Sequence, residues 1–194
     1  MKTLVIATRN EGKLREFSPL LAPLGFALKS AGALGLPEPE ESAPDFAGNA
    51  RIKALAAARG AGLAALADDS GLSVAALGGA PGVHSARYAG GDYPAAFARI
   101  LKAVAETGEA RAHFTAALCL ALPDGTTHTY VGEAHGHIAP APRGAGGFGY
   151  DPIFIPDGYE MSFAELGAEK ERISHRAKAF AQLAAALAAG TIKI

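Results

Sequence analysis

The acids of Ala-Asp-Asp-Ser-Gly-Leu, residues 67–72, are the first candidates for chemistry. Ala64–Ala67 reads as the interior of a short strand, which places Asp68 and Asp69 at its carboxyl end, where α/β sheets bind ligands. Two acids there, followed by Ser70 and Gly71, suit a metal ligand or general base; capping of the following turn explains them equally. A second candidate is Ala-Thr-Arg-Asn-Glu-Gly-Lys, residues 7–13. It delivers Asn10, Gly12 and Lys13 to the start of a helix, where free N–H groups and the helix dipole attract anions. It is not a Walker A loop, because Ala7 and Leu14 occupy the places that require Gly and Ser or Thr. A capped helix with a surface lysine remains the plain alternative. Glu38, Glu40 and Glu41 repel one another in a loop; they are either solvated or oxygen ligands for a hard cation.

Two later stretches add a different chemistry. Residues 144–154, Gly-Ala-Gly-Gly-Phe-Gly-Tyr-Asp-Pro-Ile-Phe, set four glycines within six residues beside Phe148, Tyr150 and Asp151. Bare backbone costs conformational entropy, so either a sharp loop or the close approach of something planar and polar is expected. In Glu-Lys-Glu-Arg-Ile-Ser-His-Arg-Ala-Lys, residues 169–178, Ser174 is a natural N-cap and His175 and Arg176 fill the first helical turn. Cations there oppose the dipole by a few tenths of a kcal/mol, which a nearby anion or purine carbonyl would offset; a surface basic pair is the alternative. An anion loop, a carboxylate pair, a glycine-aromatic loop and a late Lys170–His175–Arg176 cluster are together what a phosphate chain, its Mg²⁺ and a planar base require.

These residues need elements to hold them. Residues 3–7 form a buried strand, and Leu14, Phe17, Leu20, Leu21 and Leu24 recur at helical spacing up to Gly25. A second strand over 26–29, an acidic proline-rich loop over 35–45 and a helix over 46–60 ending at Gly60 follow. A further helix covers about 93–106. Strict alternation over 111–122 and 127–138, joined by Pro-Asp-Gly-Thr, predicts an antiparallel hairpin. Pro-Ile-Phe-Ile-Pro and a turn at Asp157–Gly158 lead to a last helix from about 174 to 189. Helices interleaved with strands, and one long hairpin, predict a mixed-sheet α/β fold.

The 194 residues suit one domain, and 49% hydrophobic residues supply a core. A net charge of −1 gives no field that would draw the chain to nucleic acid or an anionic membrane. Cys119, the single cysteine, excludes an internal disulfide and reads as an inert core thiol. No apolar run approaches the ~18 residues of a membrane span, so a cytoplasmic protein is expected.

In Ala7–Phe17, Glu40–Ala54, Ala67–Leu72, Leu77–Gly90, Gly146–Phe154 and Ile173–Ala179 the sequence resembles the inosine triphosphate pyrophosphatases, also called dITP/XTP pyrophosphatases. The resemblance runs nearly end to end. It implies a single domain over 1–194: an elongated mixed twisted sheet flanked by helices, with two lobes around a central cleft. It also implies a homodimer that hydrolyses ITP, dITP and XTP to the monophosphate and pyrophosphate with Mg²⁺. Carried over, the loop of Thr8, Arg9, Asn10, Glu11, Gly12 and Lys13 binds the triphosphate. Glu40 and Asp69 hold Mg²⁺, Asp69 is also the base, and Ser70 contacts substrate. Phe148, Gly149, Tyr150, Asp151, Lys170, His175 and Arg176 form the base pocket. There the glycines let the backbone approach a purine and Phe148 stacks on it; donors from His175, Arg176 or the backbone welcome a 6-oxygen and reject a 6-amino group. Two positions depart from the family: Gly48 stands where a glutamate is usual and Asp45 where a threonine is common, leaving Asp45 and Glu41 as the carboxylates available to compensate. The alternatives are a related pyrophosphatase of different base preference and a catalytically silent nucleotide-binding regulator.

Overall fold

The computed structural model describes residues 2–8, 17–192 and 194. Arg9, Asn10, Glu11, Gly12 and Lys13 therefore lie outside the described residues. Six strands form one mixed sheet: β1 (Lys2–Ile6), β2 (Phe26–Ser30), β3 (Ala65–Val74), β4 (Arg111–Ala121), β5 (Thr127–Ile138) and β6 (Phe154–Pro156), in the order β2-β1-β3-β4-β5-β6. β1 runs parallel to β2, with Lys2 opposite Phe26, and parallel to β3, with Val5 opposite Ala65. β5 and β6 are antiparallel, with Gly136 opposite Pro156. The predicted α/β class and the hairpin of β4 and β5 are both present.

The chain divides into two compact units, one of Met1–Asp69, Ala117–Val131 and Phe180–Ile194, the other of Ser70–Ala116 and Gly132–Ala179. The core of the first is built from small residues. Ala50, Ala54, Ala57 and Ala58 of the Phe46–Ala61 helix pack with Val5, Ala65, Ala67 and Cys119 of the strands. Their short side chains let helix and sheet approach closely. The second core is aromatic: Phe97, Phe114, Tyr150, Phe154 and Phe163 pack with Leu72, Val74 and Ile100. The rings of Phe114 and Phe154 meet edge to face at 4.9 Å.

Two boundaries differ from expectation. The first long helix runs past Gly60 and stops at Gly62, which adopts the left-handed conformation at φ 63°. β3 is longer than its apolar run and continues through Asp68, Asp69 and Ser70 to Val74. The two acids are thus mid-strand rather than at its carboxyl end, and both are buried. A paired carboxylate is tolerated inside a ladder because its backbone groups still make sheet hydrogen bonds.

β6 covers β5 only at Gly136–Ile138. Along the rest of that edge the His175–Ala188 helix takes the place of a strand. Lys178 Nζ donates to the Glu133 carbonyl at 2.8 Å and Gln182 Nε2 to the Val131 carbonyl at 2.7 Å. The close approach depends on Gly132, where an added Cβ would stand 2.2 Å from the His175 carbonyl oxygen and 2.5 Å from the Ala179 nitrogen. Gly132→Ala is therefore expected to cost at least the 1–3 kcal/mol typical of overpacking. Urea unfolding measures it, and an unchanged midpoint contradicts this packing.

Candidate active site

Lys53 is the residue that sequence reading missed. It sits mid-helix among alanines, a pattern that suggests a solvated lysine, yet it is buried. Its Nζ lies 3.1 Å from Asp69 Oδ1 and 2.8 Å from Glu41 Oε1. Burial alone lowers the affinity of Lys53 for its proton; the two carboxylates more than offset this and hold its pKa above the ordinary value. Burial pushes the Asp69 carboxyl up, against the opposing pull of Lys53, and the charges of Glu41 and Asp68 add to the rise. One oxygen of Asp69 is thus occupied, while Oδ2 is buried without a hydrogen-bond partner among the described residues. Lys53 also lines a small pocket with Ala7, Thr8, Leu36 and Glu38, which brings Thr8 of the predicted phosphate loop beside it.

Of the acidic loop, the structure brings Glu41 and not Glu40 to this cluster; Glu40 is exposed. Successive side chains of an extended segment point to opposite sides, so one glutamate faces the helix and its neighbour faces water. Asp45 is the N-cap of the Phe46–Ala61 helix and accepts from Gly48 N at 2.7 Å. Gly48 is explained by its neighbour, since an added Cβ there would stand 2.5 Å from the Ala43 Cβ.

The second unit holds the aromatic and basic candidates. Phe148 is 54% exposed. Lys170 Nζ lies 4.4 Å and the Arg176 guanidinium carbon 5.5 Å from its ring centroid, within cation–π range. Arg176 Nη2 also donates to Ser70 Oγ at 3.3 Å. The Lys170 ammonium is fixed by Asp151 Oδ2 at 2.6 Å, and the same oxygen accepts from Phe148 N at 2.7 Å. Asp151 is 2% exposed. Burial pushes its carboxyl up against the opposing charge of Lys170. Its Oδ2 is committed to both the loop and the lysine, so Asp151 positions Phe148 and Lys170.

This gives the glycines a reason different from the one expected. A Cβ on Gly147, which has φ +70°, would stand 2.1 Å from Asp151 Oδ2, and one on Gly146 would stand 2.7 Å from the Ala164 carbonyl oxygen. The chain is bare there because the protein's own carboxylate and backbone fill the space. Gly149, at φ +63°, has only the Tyr93 ring nearby. Tyr150 turns inward, donating its hydroxyl to the Ser85 carbonyl at 2.7 Å. Ser174 caps the last helix as predicted, accepting from Ala177 N at 3.2 Å. Arg176 is half-buried, whereas His175 is 5% exposed and stacks on Phe114 with centroids 4.7 Å apart. Of the two predicted donors, Arg176 is the one beside Phe148.

A mixed α/β sheet carrying a buried acid–ammonium cluster and an exposed aromatic ring set among cations defines a protein with the groups to bind an anionic ligand and to activate water. The chain belongs to the Ham1 family, whose profile matches residues 4–186. It is 54% identical to a dITP/XTP pyrophosphatase of Gluconobacter oxydans, covering 91% of this chain and 86% of that protein. It is also 54% identical to a dITP/XTP pyrophosphatase of Rhodospirillum centenum, covering 94% and 93%. The solved Ham1 protein of Coxiella burnetii superposes with a TM-score of 0.91 at 39% identity, over 97% of this chain and 100% of that one.

Proposed function

We propose that this protein hydrolyses non-standard purine nucleoside triphosphates, namely ITP, dITP and XTP, to the monophosphate and pyrophosphate. The observation that carries the reading is Asp69, buried with one oxygen held by Lys53 and the other without a partner among the described residues. That is a carboxylate oriented for proton abstraction. Water attacks the phosphoryl group, its proton passes to Asp69, and the bond between the α- and β-phosphoryl groups breaks, so that pyrophosphate departs with the electron pair. Lys53 favours the ionised form of Asp69 against the effect of burial, and Thr8 lines the same small pocket as Lys53. The loop through Lys13 supplies the remaining positive charge, which becomes more valuable as pyrophosphate forms.

Mg²⁺ fits these residues. Among the described residues no three His, Cys, Asp or Glu side chains converge as a ready-made metal nest, and Mg²⁺ commonly takes one or two carboxylates with the remainder from phosphate and water. Asp69 and the loop glutamates, with Glu41 nearer than Glu40, would hold it. When bound it neutralises phosphate charge. We read the protein as homodimeric, as its resemblance to the pyrophosphatases implies, and as cytoplasmic; among the described residues no helix is long and apolar enough to cross a membrane.

Base choice falls to Phe148, which stacks on any purine, and to Arg176 beside it, which donates to a 6-oxygen. Arg176→Ala is expected to lower kcat/KM for ITP and XTP about tenfold, since a charged donor to a buried acceptor is lost. Activity on ATP falls less or rises. Pyrophosphate release from a panel of NTPs tests both claims. A preference for pyrimidines overturns the substrate class, and no release from any NTP favours a silent binder. Equal loss on ITP and ATP in Arg176→Ala moves discrimination to the 146–151 backbone.

A further inference from the structure

Asn49 lies in the first turn of the Phe46–Ala61 helix and is fully buried. A buried amide costs free energy unless it is hydrogen-bonded, so its contacts are informative. Its Oδ1 accepts from Ala43 N at 2.9 Å. A backbone N–H can meet only an acceptor, which fixes the orientation of the amide and turns Nδ2 away from the loop, where it has no partner among the described residues. Ala43 touches the same helix a second time, because its Cβ occupies the space beside Gly48. Asp45 closes the segment by capping Gly48 N. The acidic loop is thus fastened to the helix at residues 43 and 45. Glu41 stands only two residues before the first fastening, a span of at most about 7 Å of extended chain. Its carboxylate meets Lys53, which lies one turn beyond Asn49 on the same helix face.

We propose that Asn49 is the positioning residue of the acidic loop: its side-chain carbonyl latches Ala43 and thereby holds Glu41 at Lys53 and Asp69. The Mg²⁺ consequence rests on the reading of the site given under Proposed function; the latch itself does not. Gly48 is part of the same device, since the small residue there lets Ala43 seat against the helix.

The test uses the full chain without nucleotide. Exchange of the Ala43 amide is followed by NMR, and Mg²⁺ binding by calorimetry. Asn49→Ala should speed Ala43 exchange at least tenfold and weaken Mg²⁺ three- to tenfold, the range for one lost hydrogen bond. Asn49→Asp keeps an acceptor for Ala43 N and should restore the protection and an affinity equal to the parent's or higher. Ala43→Pro removes the donor from the loop without touching the buried position, and should weaken Mg²⁺ as Asn49→Ala does, even if that variant folds poorly. Unchanged Ala43 exchange in Asn49→Ala overturns the latch. Unchanged Mg²⁺ affinity in Asn49→Ala and Ala43→Pro, with weakened affinity in Glu41→Gln, overturns its role in placing Glu41. If Glu41→Gln itself binds Mg²⁺ as the parent does, the metal reading fails, and Ala43 exchange still decides the latch.

Discussion

Asp69→Asn is expected to fold, and to release pyrophosphate from ITP a hundred- to ten-thousandfold more slowly than the parent, the range for loss of a positioned base. The substitution preserves shape. Asn Oδ1 still accepts from Lys53, whose charge keeps Glu41 as a partner at 2.8 Å. What disappears is the oxygen that is buried with no hydrogen-bond partner among the described residues; an amide nitrogen there takes up no proton and is no ligand for a hard cation. The variant therefore separates chemistry from stability. Thermal unfolding should differ little, because burial of the carboxylate is what pushes the Asp69 pKa up and a neutral amide carries no such penalty. Retention of more than about a tenth of the parent rate, only ~1.4 kcal/mol of barrier, removes Asp69 from the mechanism.

The second large effect is on stability. Asp151→Asn leaves the Lys170 ammonium buried without its counter-charge, and removing one partner of a buried pair costs roughly 3–5 kcal/mol. Asp151 and Lys170 are both less than a tenth exposed, and their contact is 2.6 Å. The double variant Asp151→Asn, Lys170→Met should recover much of the loss, because no unpaired charge remains. Urea midpoints at neutral pH measure both effects, and a single variant as stable as the parent contradicts the buried pair.

The parts of the molecule that follow local rules could be read from its sequence. β4 and β5 alternate with period two and are joined by a turn sequence, and both appear within one residue of the expected bounds. Ser174 caps its helix because a side-chain oxygen beside free N–H groups acts locally. The long-range pairings could not be read in this way. Lys53 is one basic residue in an alanine-rich helix, and only the arrival of Asp69 and Glu41 from other segments makes it a buried charge. The choice of Glu41 over Glu40 depends on which side of an extended loop faces the helix. β3 continues past its apolar stretch through Asp68 and Asp69, where Lys53, remote in sequence, compensates the buried Asp69. In the 144–154 loop the glycines suggest a sharp loop or the approach of a planar ligand, and the sequence does not show that Asp151 and Ala164 stand against Gly147 and Gly146.

The last helix has a further role beyond carrying Arg176. Through Lys178 and Gln182 it occupies outward-facing carbonyls of β5, groups that would otherwise form a template for another chain to add a strand. Val131 stands on that strand with 42% of its surface exposed. Any event that frees the helix, whether truncation, heating or a bulky residue at Gly132, thus opens a sticky sheet margin at the moment it displaces the arginine beside Phe148. Loss of base selectivity and the onset of self-association should then appear together along a temperature ramp, as one event seen by two instruments.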